Sequence, residues 1–244
     1  MALKKAALAA GGLTVYGAGV LAAYVYMYDP SKDMENHISD AERQARFDRN
    51  SAQYDQEIGT DETMAGIGLM RRFLLKHAQG SILEVAAGTG RNLPYYAPEA
   101  DVLLTDLSAS MLAQIERSNL RANMKTAVMS AEALNLPTDS FDTVIDTFAL
   151  CSVDHPDVML AEMQRVCKKN GGKILLLEHG RSHYDWLSYV LDKFAAKHAE
   201  RWGCLWNRDI LQIVADAGLH IETIHRFHFG TTYYIVARPK SADT

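Results

Sequence analysis

From Ser81 onward, short runs of consecutive apolar residues alternate with longer stretches in which apolar positions return every three or four residues. The runs Ser81–Ala86, Val102–Thr105, Thr143–Phe148 and Lys173–Leu177 read as buried strands. The stretches from Asn92 onward, Ser108–Arg117, Pro156–Cys167 and Tyr184–Ala199 read as helices. Alternation of this kind predicts a parallel sheet with helices on both faces. A further helix is expected over Arg208–Ala217, with Asn207 as its N-cap and Gly218 just past its end. Ile221–Phe227 and Tyr233–Ala237, joined through Phe229, Gly230 and Thr231, predict a closing hairpin. Ahead of the alternation, Asp40–Ile58 is rich in charge, with Phe47, Tyr54 and Ile58 on an intermittent apolar face, and reads as a surface helix. Asp61–His77 reads as a second helix, with Met64, Ile67, Leu69, Met70, Phe73 and Leu74 as its buried stripe and Gly80 ending it.

The N-terminal pattern differs in kind. The 23 residues from Ala6 to Tyr28 carry no charge. That run is long enough to cross a bilayer and exceeds the apolar core of a cleavable signal peptide, about 7–15 residues. An uncleaved single-pass anchor is therefore expected, with tyrosines at 16, 24, 26 and 28 crowding toward one interface and Lys4 and Lys5 favouring the positive-inside compartment for the N-terminus. The chain then divides into an anchor over 1–28, a polar linker over 29–39, and a folded domain over 40–244 that begins with a helical lid.

Composition narrows the function. A formal charge of −5 over 244 residues argues against broad capture of nucleic acid and leaves room only for a local basic patch such as Arg71, Arg72 and Lys76. Three scattered cysteines make no disulfide framework, and no Cys/His spacing resembles a zinc site, so no metal is expected.

The chemistry concentrates in "ILEVAAGTGRNLPYY", a glycine-rich turn directly after the first strand, where bare backbone N–H groups approach a ligand. A dinucleotide fingerprint needs a third glycine where this chain has Leu93 followed by Pro94, which demotes a nicotinamide cofactor. What remains is an acid, a small residue and two glycines at alternate positions: Glu84, Ala86, Gly88 and Gly90. Asp106 ends the second strand, where a carboxylate accepts from both hydroxyls of a ribose.

These residues, with "SAEALNLPTDSFDTVI" and "GGKILLLEHG", resemble the successive motifs of class I S-adenosylmethionine-dependent methyltransferases over roughly Tyr54–Pro239. Through "GTGRN", "LCSV", "EHGRS", "WGCLWNRDI" and "HFGTTYYI" the chain is similar to the membrane-anchored branch that holds animal thiol methyltransferases and a fungal mitochondrial inner-membrane relative. The resemblance implies a Rossmann-like, seven-stranded sheet ordered 3-2-1-4-5-7-6, and S-adenosyl-L-methionine laid across the ends of its first strands. It implies cofactor contacts from Glu84, Ala86, Gly88, Gly90, Asp106, Leu107, Ala131, Glu132 and Tyr54. The family often has an acid before Ala131 and this chain has Ser130, so adenine contact falls to main chain or to Glu132.

For the acceptor, the resemblance suggests a thiol, or more broadly a small or lipophilic molecule delivered near a membrane. A thiol would need help to ionise, and His179, His155 with its neighbour Asp154, and Arg208 are the candidates. Cys151, Cys204 and Trp206 join Arg208 as expected pocket residues, the cysteines serving as packing or lining rather than as nucleophiles. The mitochondrial inner membrane is the implied location, with the endoplasmic reticulum as the alternative. A non-catalytic subunit of a membrane complex is the rival from another class, and RNA methylation is disfavoured by the charge.

Overall fold

The computed structural model describes residues 19, 20, 22–29, 40–117 and 120–240. Most of the expected anchor and linker, including Lys4 and Lys5, lies outside the described residues. Among the described residues no helix is long and apolar enough to cross a membrane. Residues 22–27 are helical and rest on the rest of the fold: Tyr24 and Tyr28 stack on Phe194 with centroids 5.8 and 4.3 Å away, and Lys193 Nζ donates to the Tyr26 carbonyl at 3.1 Å.

Seven strands form one sheet: β1 (Ser81–Val85), β2 (Asp101–Asp106), β3 (Met124–Val128), β4 (Thr143–Thr147), β5 (Lys173–His179), β6 (His220–Phe227) and β7 (Thr232–Arg238). Their spatial order is β3-β2-β1-β4-β5-β7-β6, with β7 antiparallel to both neighbours, as the resemblance implied. The period of two along a strand sends alternate side chains to opposite layers. On β5, Ile174 and Leu176 join one core while Leu175 and Leu177 join the other. The first layer is closed by α5 (Pro156–Val166) and α7 (Ile210–Asp216), the second by α3 (Ile67–Leu74) and α4 (Ala109–Arg117). Strands covered on both sides read as unbroken apolar runs. Edge strand β6, with His220, Glu222, His225 and Arg226, alternates in burial instead.

Several elements depart from the sequence reading. The helix expected over Asp40–Ile58 is two, α1 (Asp40–Asn50) and α2 (Tyr54–Met64), separated by a turn at 51–53. The helix expected over Asp61–His77 breaks at Gly66, whose φ of 70° is left-handed, and α3 resumes after it, ending in a 3-10 turn at Leu75–His77. Met64, Leu69 and Phe73, assigned to the buried stripe, are exposed. From Asn92 the chain makes a single 3-10 turn, Leu93–Tyr95, because Pro94 and Pro98 leave no room for a longer helix. Helix α7 is capped by Asp209, which accepts from Gln212 N–H at 3.1 Å, rather than by Asn207, whose amide donates to Asp192. Arg71 makes no basic patch: it is 4% exposed and hydrogen-bonded inside the protein.

Helix α6 (Asp185–Trp202) lies beside the cores described above. It carries Phe194 against the tyrosines at 24 and 28, and its first turns expose Trp186 and Tyr189.

Candidate active site

One cavity of about 770 Å³ opens at the C-terminal ends of β1, β2, β4 and β5, within the range of small-molecule sites. Its floor at one end is the turn after β1. Ala86 (φ 49°) and Gly88 (φ 56°) both adopt left-handed backbone there, which turns the chain sharply enough to leave main chain facing the cavity. Asp106 closes this end: its Oδ2 accepts from Gly88 N–H at 2.8 Å and its Oδ1 from Ser108 N–H at 2.8 Å. Each carboxylate oxygen keeps a second lone pair for a hydroxyl donor from a ligand. Burial raises the Asp106 carboxyl above its ordinary range, against the hydrogen bonds that lower it. Leu107, Ser130, Ala131 and Glu132 continue the wall. Glu132 also accepts from the His155 N–H at 2.8 Å, so its carboxylate is shared with the start of α5.

Two expected cofactor residues lie under this floor rather than on it. Glu84 is 1% exposed and does not line the cavity; its oxygens accept from Asn92 Nδ2 at 2.8 Å and from Tyr96 Oη at 2.6 Å. It therefore ties down the chain that follows the turn. Burial pushes its carboxyl up to about 7 in spite of those bonds. Gly90 (φ 81°) faces the core, and a Cβ there would sit 2.6 Å from Leu93 Cδ1 and 2.9 Å from Ile115 Cγ1.

The roof is made by α1 and α2. Phe47, Tyr54 and Ile58 face inward, and the Tyr54 phenol is held above its ordinary range, first by burial and then by the Glu62 charge. Arg71 Nη2 meets Glu62 Oε1 at 2.8 Å, Arg91 Nη2 meets Glu62 Oε2 at 2.9 Å, and Asp55 Oδ1 accepts from Thr89 Oγ1 and Arg91 at 2.7 and 3.0 Å. The roof is thus fastened to the glycine turn itself.

At the far end the walls are Phe148, Leu187, Leu191, Trp202 and Trp206, with Cys151, His179 and Cys204 among them. His179 Nε2 lies 2.7 Å from Cys204 Sγ, and its ring packs between Phe148 and His198 at centroid distances of 5.4 and 6.4 Å. Burial, reinforced by the nearby His198, lowers His179 to about 4, so the imidazole is neutral at physiological pH. Trp206 stacks on His198 at 3.9 Å and donates its Nε1–H to the Leu191 carbonyl. Three other expected residues fall outside. Asp154 is paired with Arg43 at 2.9 Å, His155 is exposed at the start of α5, and Arg208 Nη1 donates to the Leu150 carbonyl.

Residues 82–171 match the profile of a methyltransferase domain family. The chain is 31% identical over 238 residues to the mitochondrial methyltransferase OMS1 of Saccharomyces cerevisiae, covering 88% of this chain and 50% of that protein, so it spans half the length of that relative. It is 33% identical over 148 residues to a phosphatidylethanolamine N-methyltransferase of Cereibacter sphaeroides, covering 58% of this chain and 71% of the relative. With the ubiquinone/menaquinone biosynthesis C-methyltransferase UbiE of Hahella chejuensis it shares 32% over 198 residues, 75% of this chain and 76% of the other. The chain belongs to the S-adenosylmethionine-dependent methyltransferases. Its fold agrees with that of a Thermotoga maritima methyltransferase at a TM-score of 0.61 and 20% identity, over 80% of this chain and 98% of the other.

S-adenosylmethionine is this methyltransferase's cofactor, and the residues present fit it. A carboxylate with spare lone pairs at the end of β2 suits ribose hydroxyls, and the cavity-lining turn Ala86–Thr89, short of side chains at Ala86, Ala87 and Gly88, suits a ligand that approaches backbone closely. The sequence reading missed Glu62 and Arg71, which join the roof to the floor, Arg43, which ties α1 to Gly203 and Asp154, and the convergence of Cys151, His179 and Cys204 into one cluster. Glu62 and Arg71 lie well before the glycine turn in sequence, so no local spacing ties them to it. Cys151, His179 and Cys204 were each expected at the acceptor end, but nothing in their spacing marked them as one cluster, since they come from three separate segments.

Proposed function

We propose that this methyltransferase transfers the methyl group of S-adenosylmethionine to a small or lipophilic acceptor that reaches it from a membrane. The observation carrying this reading is the continuity of one cavity, from the hydrogen-bonding floor at Gly88 and Asp106 to an aromatic far end at Phe148, Trp202 and Trp206. When bound, the cofactor supplies a methyl on a positively charged sulfur, a carbon already activated toward displacement. What remains for the chain is to align two reactants and keep water out. Asp106 and the glycine turn fix one reactant, α1 and α2 close over it, and the apolar walls of the far end hold the other.

Helix α6 supports delivery from a bilayer. It walls the far end with Leu187, Leu191 and Trp202, receives the end of the uncharged N-terminal run on Phe194, and exposes Trp186 and Tyr189 to the outside. Amphipathic aromatics of this kind favour a membrane interface. The yeast relative's mitochondrial name supports the mitochondrion as the location.

The test uses membranes that contain the full chain, washed with alkaline carbonate and supplied with methyl-labelled S-adenosylmethionine, wild type beside Asp106→Ala. Label should enter an organic-extractable acceptor in the washed wild-type pellet and fall at least tenfold in the variant. Equal incorporation by the two overturns methyl transfer through this site, and activity recovered in the supernatant alone overturns the anchoring.

A further inference from the structure

Cys151, His179 and Cys204 arrive from three parts of the chain and meet. Cys151 follows β4 just after Phe148, whose φ of 64° turns the chain back toward the cavity; His179 ends β5; Cys204 follows Gly203, the left-handed cap of α6 (φ 71°). The segments are fastened by backbone, since Leu205 N–H donates to the Cys151 carbonyl at 2.8 Å. The two sulfurs and a ring nitrogen all lie within 4.8 Å of one another. The sulfur of Cys151 also donates to the Phe148 carbonyl at 3.5 Å and lies 3.5 Å from Ser152 Oγ.

We infer that Cys151, His179 and Cys204 are a three-ligand site for a thiophilic divalent cation, zinc above all, whose fourth position opens into the cavity. Zinc bonds of about 2.3 Å to sulfur and 2.0–2.1 Å to nitrogen set tetrahedral ligand atoms about 3.5–3.8 Å apart. With all three atoms within 4.8 Å of one another, shifts of about 1 Å reach that arrangement, the close Nε2–Sγ pair at 2.7 Å opening by about that much. Sulfur and imidazole donors without a carboxylate select zinc over calcium or magnesium. Binding displaces one proton from each thiol, and two thiolates cancel the charge of the ion, so the buried site carries no net charge. Two cysteines and a histidine with a fourth position left free is a ligand set of catalytic rather than structural zinc. All three residues line the cavity at the end remote from Asp106. The inference deepens the proposed function and rests on it for its catalytic meaning: an acceptor with an ionisable O–H or S–H, bound at the fourth position, would be held deprotonated by the metal. His179 is then a ligand and not a base.

The full chain, purified in detergent, reduced and stripped of metal, would be titrated with Co²⁺ and then Zn²⁺. One equivalent of Co²⁺ should give a tetrahedral ligand-field spectrum with a sulfur-to-metal charge-transfer band, and Zn²⁺ should abolish it. Cys204→Ser and Cys151→Ser should each lose that tight equivalent, while Cys167→Ser, altered at a buried cysteine remote from the cavity, should keep it. His179→Ala serves where either serine variant fails to fold by circular dichroism. Asp106→Ala should keep the metal while losing cofactor binding, which separates failure of the metal site from failure of the transferase reading. No binding by folded protein with all three thiols titratable, binding that survives the ligand substitutions, or two thiols recovered only as a Cys151–Cys204 disulfide without metal binding after reduction would overturn the inference.

Discussion

Ala86 holds a left-handed backbone, φ 49°, where an L side chain is strained by about 1–2 kcal/mol. Three other non-glycine residues with positive φ, Phe148, His228 and Phe229, also line the cavity, and Asp139 is the one described example away from it. Strained backbone persists where the surroundings over-determine it, and at this site it aims main chain at the ligand. A glycine at position 86 would shed the strain but lose a partly buried methyl worth about 0.8 kcal/mol and add unfolded-chain entropy. Ala86→Gly is therefore expected within about 1 kcal/mol of wild type, whereas the β-branched Ala86→Val should destabilise by more than about 2 kcal/mol. Urea denaturation of the two variants checks the order, and a valine variant as stable as wild type would show that the turn is not left-handed at this residue. Gly90 is restricted twice, by its own left-handed φ of 81° and because a Cβ would enter space already taken by Leu93 and Ile115.

Helix α2 acts through two acids of unequal weight. Glu62 joins Arg71 and Arg91, and the Arg71–Glu62 pair has side chains only 5% and 15% exposed. The Asp55 side chain is 54% exposed in its pair with Arg91. Removing one partner of a buried pair strands the other, typically at about 3–5 kcal/mol, while an exposed pair is worth about 0–1 kcal/mol. Arg71 keeps Asn92 and Thr147 as acceptors, which moderates the loss, so Glu62→Ala is expected to cost about 2–4 kcal/mol and Asp55→Ala under about 1 kcal/mol. Chemical denaturation checks the difference; equal costs would mean that α2 is held by its apolar face alone. The break at Gly66 that positions α2 was illegible because a lone glycine inside an apolar period reads as a tolerated helix residue. Strands β1, β4 and β5 were legible because both their faces are buried and leave unbroken apolar runs. Strand β3, a sheet edge written Met124-Lys125-Thr126-Ala127-Val128, carries no such run and was not located. The cofactor end of the site was legible for a similar reason, its glycine turn and Asp106 being compact in sequence. The roles of Glu84 and Gly90 beneath that turn, and the meeting of Cys151, His179 and Cys204, depend on packing that no local spacing encodes.

Across the molecule, burial of ionisable groups sets opposing responses to pH. Glu84, raised from 4.5 to about 7, binds its proton more tightly folded than unfolded. Its contribution is therefore fully present below pH 4.5 and is lost as pH rises through about 7. His179 and His198, each lowered to about 4, act in the other direction between about 4 and 6.5 and are spent above that. Asp142, Glu162 and Glu222, lowered mainly by hydrogen bonds to Lys168, Arg165 and Arg238, lie near the surface, where such pairs contribute little. From pH 6.5 upward Glu84 weakens the fold, together with Glu178, whose carboxyl is also held by burial well above its ordinary range. A comparison with Glu84→Gln brings out the Glu84 effect together with the coupling of Glu84 to Asp146, which is itself raised to about 6, and glutamine can still accept from Asn92 while its amide donates to the Tyr96 oxygen. Wild-type stability relative to Glu84→Gln should fall by up to about 3 kcal/mol between pH 4.5 and 8, the size implied by a shift of two to three pKa units. Thermal unfolding of the two proteins across that range measures it. A difference flat with pH would mean that Glu84 is already ionised in the folded protein, stabilised by Tyr96, Asn92 and the nearby Arg71, and that the floor of the cofactor site rests on a buried charge rather than on a shared proton.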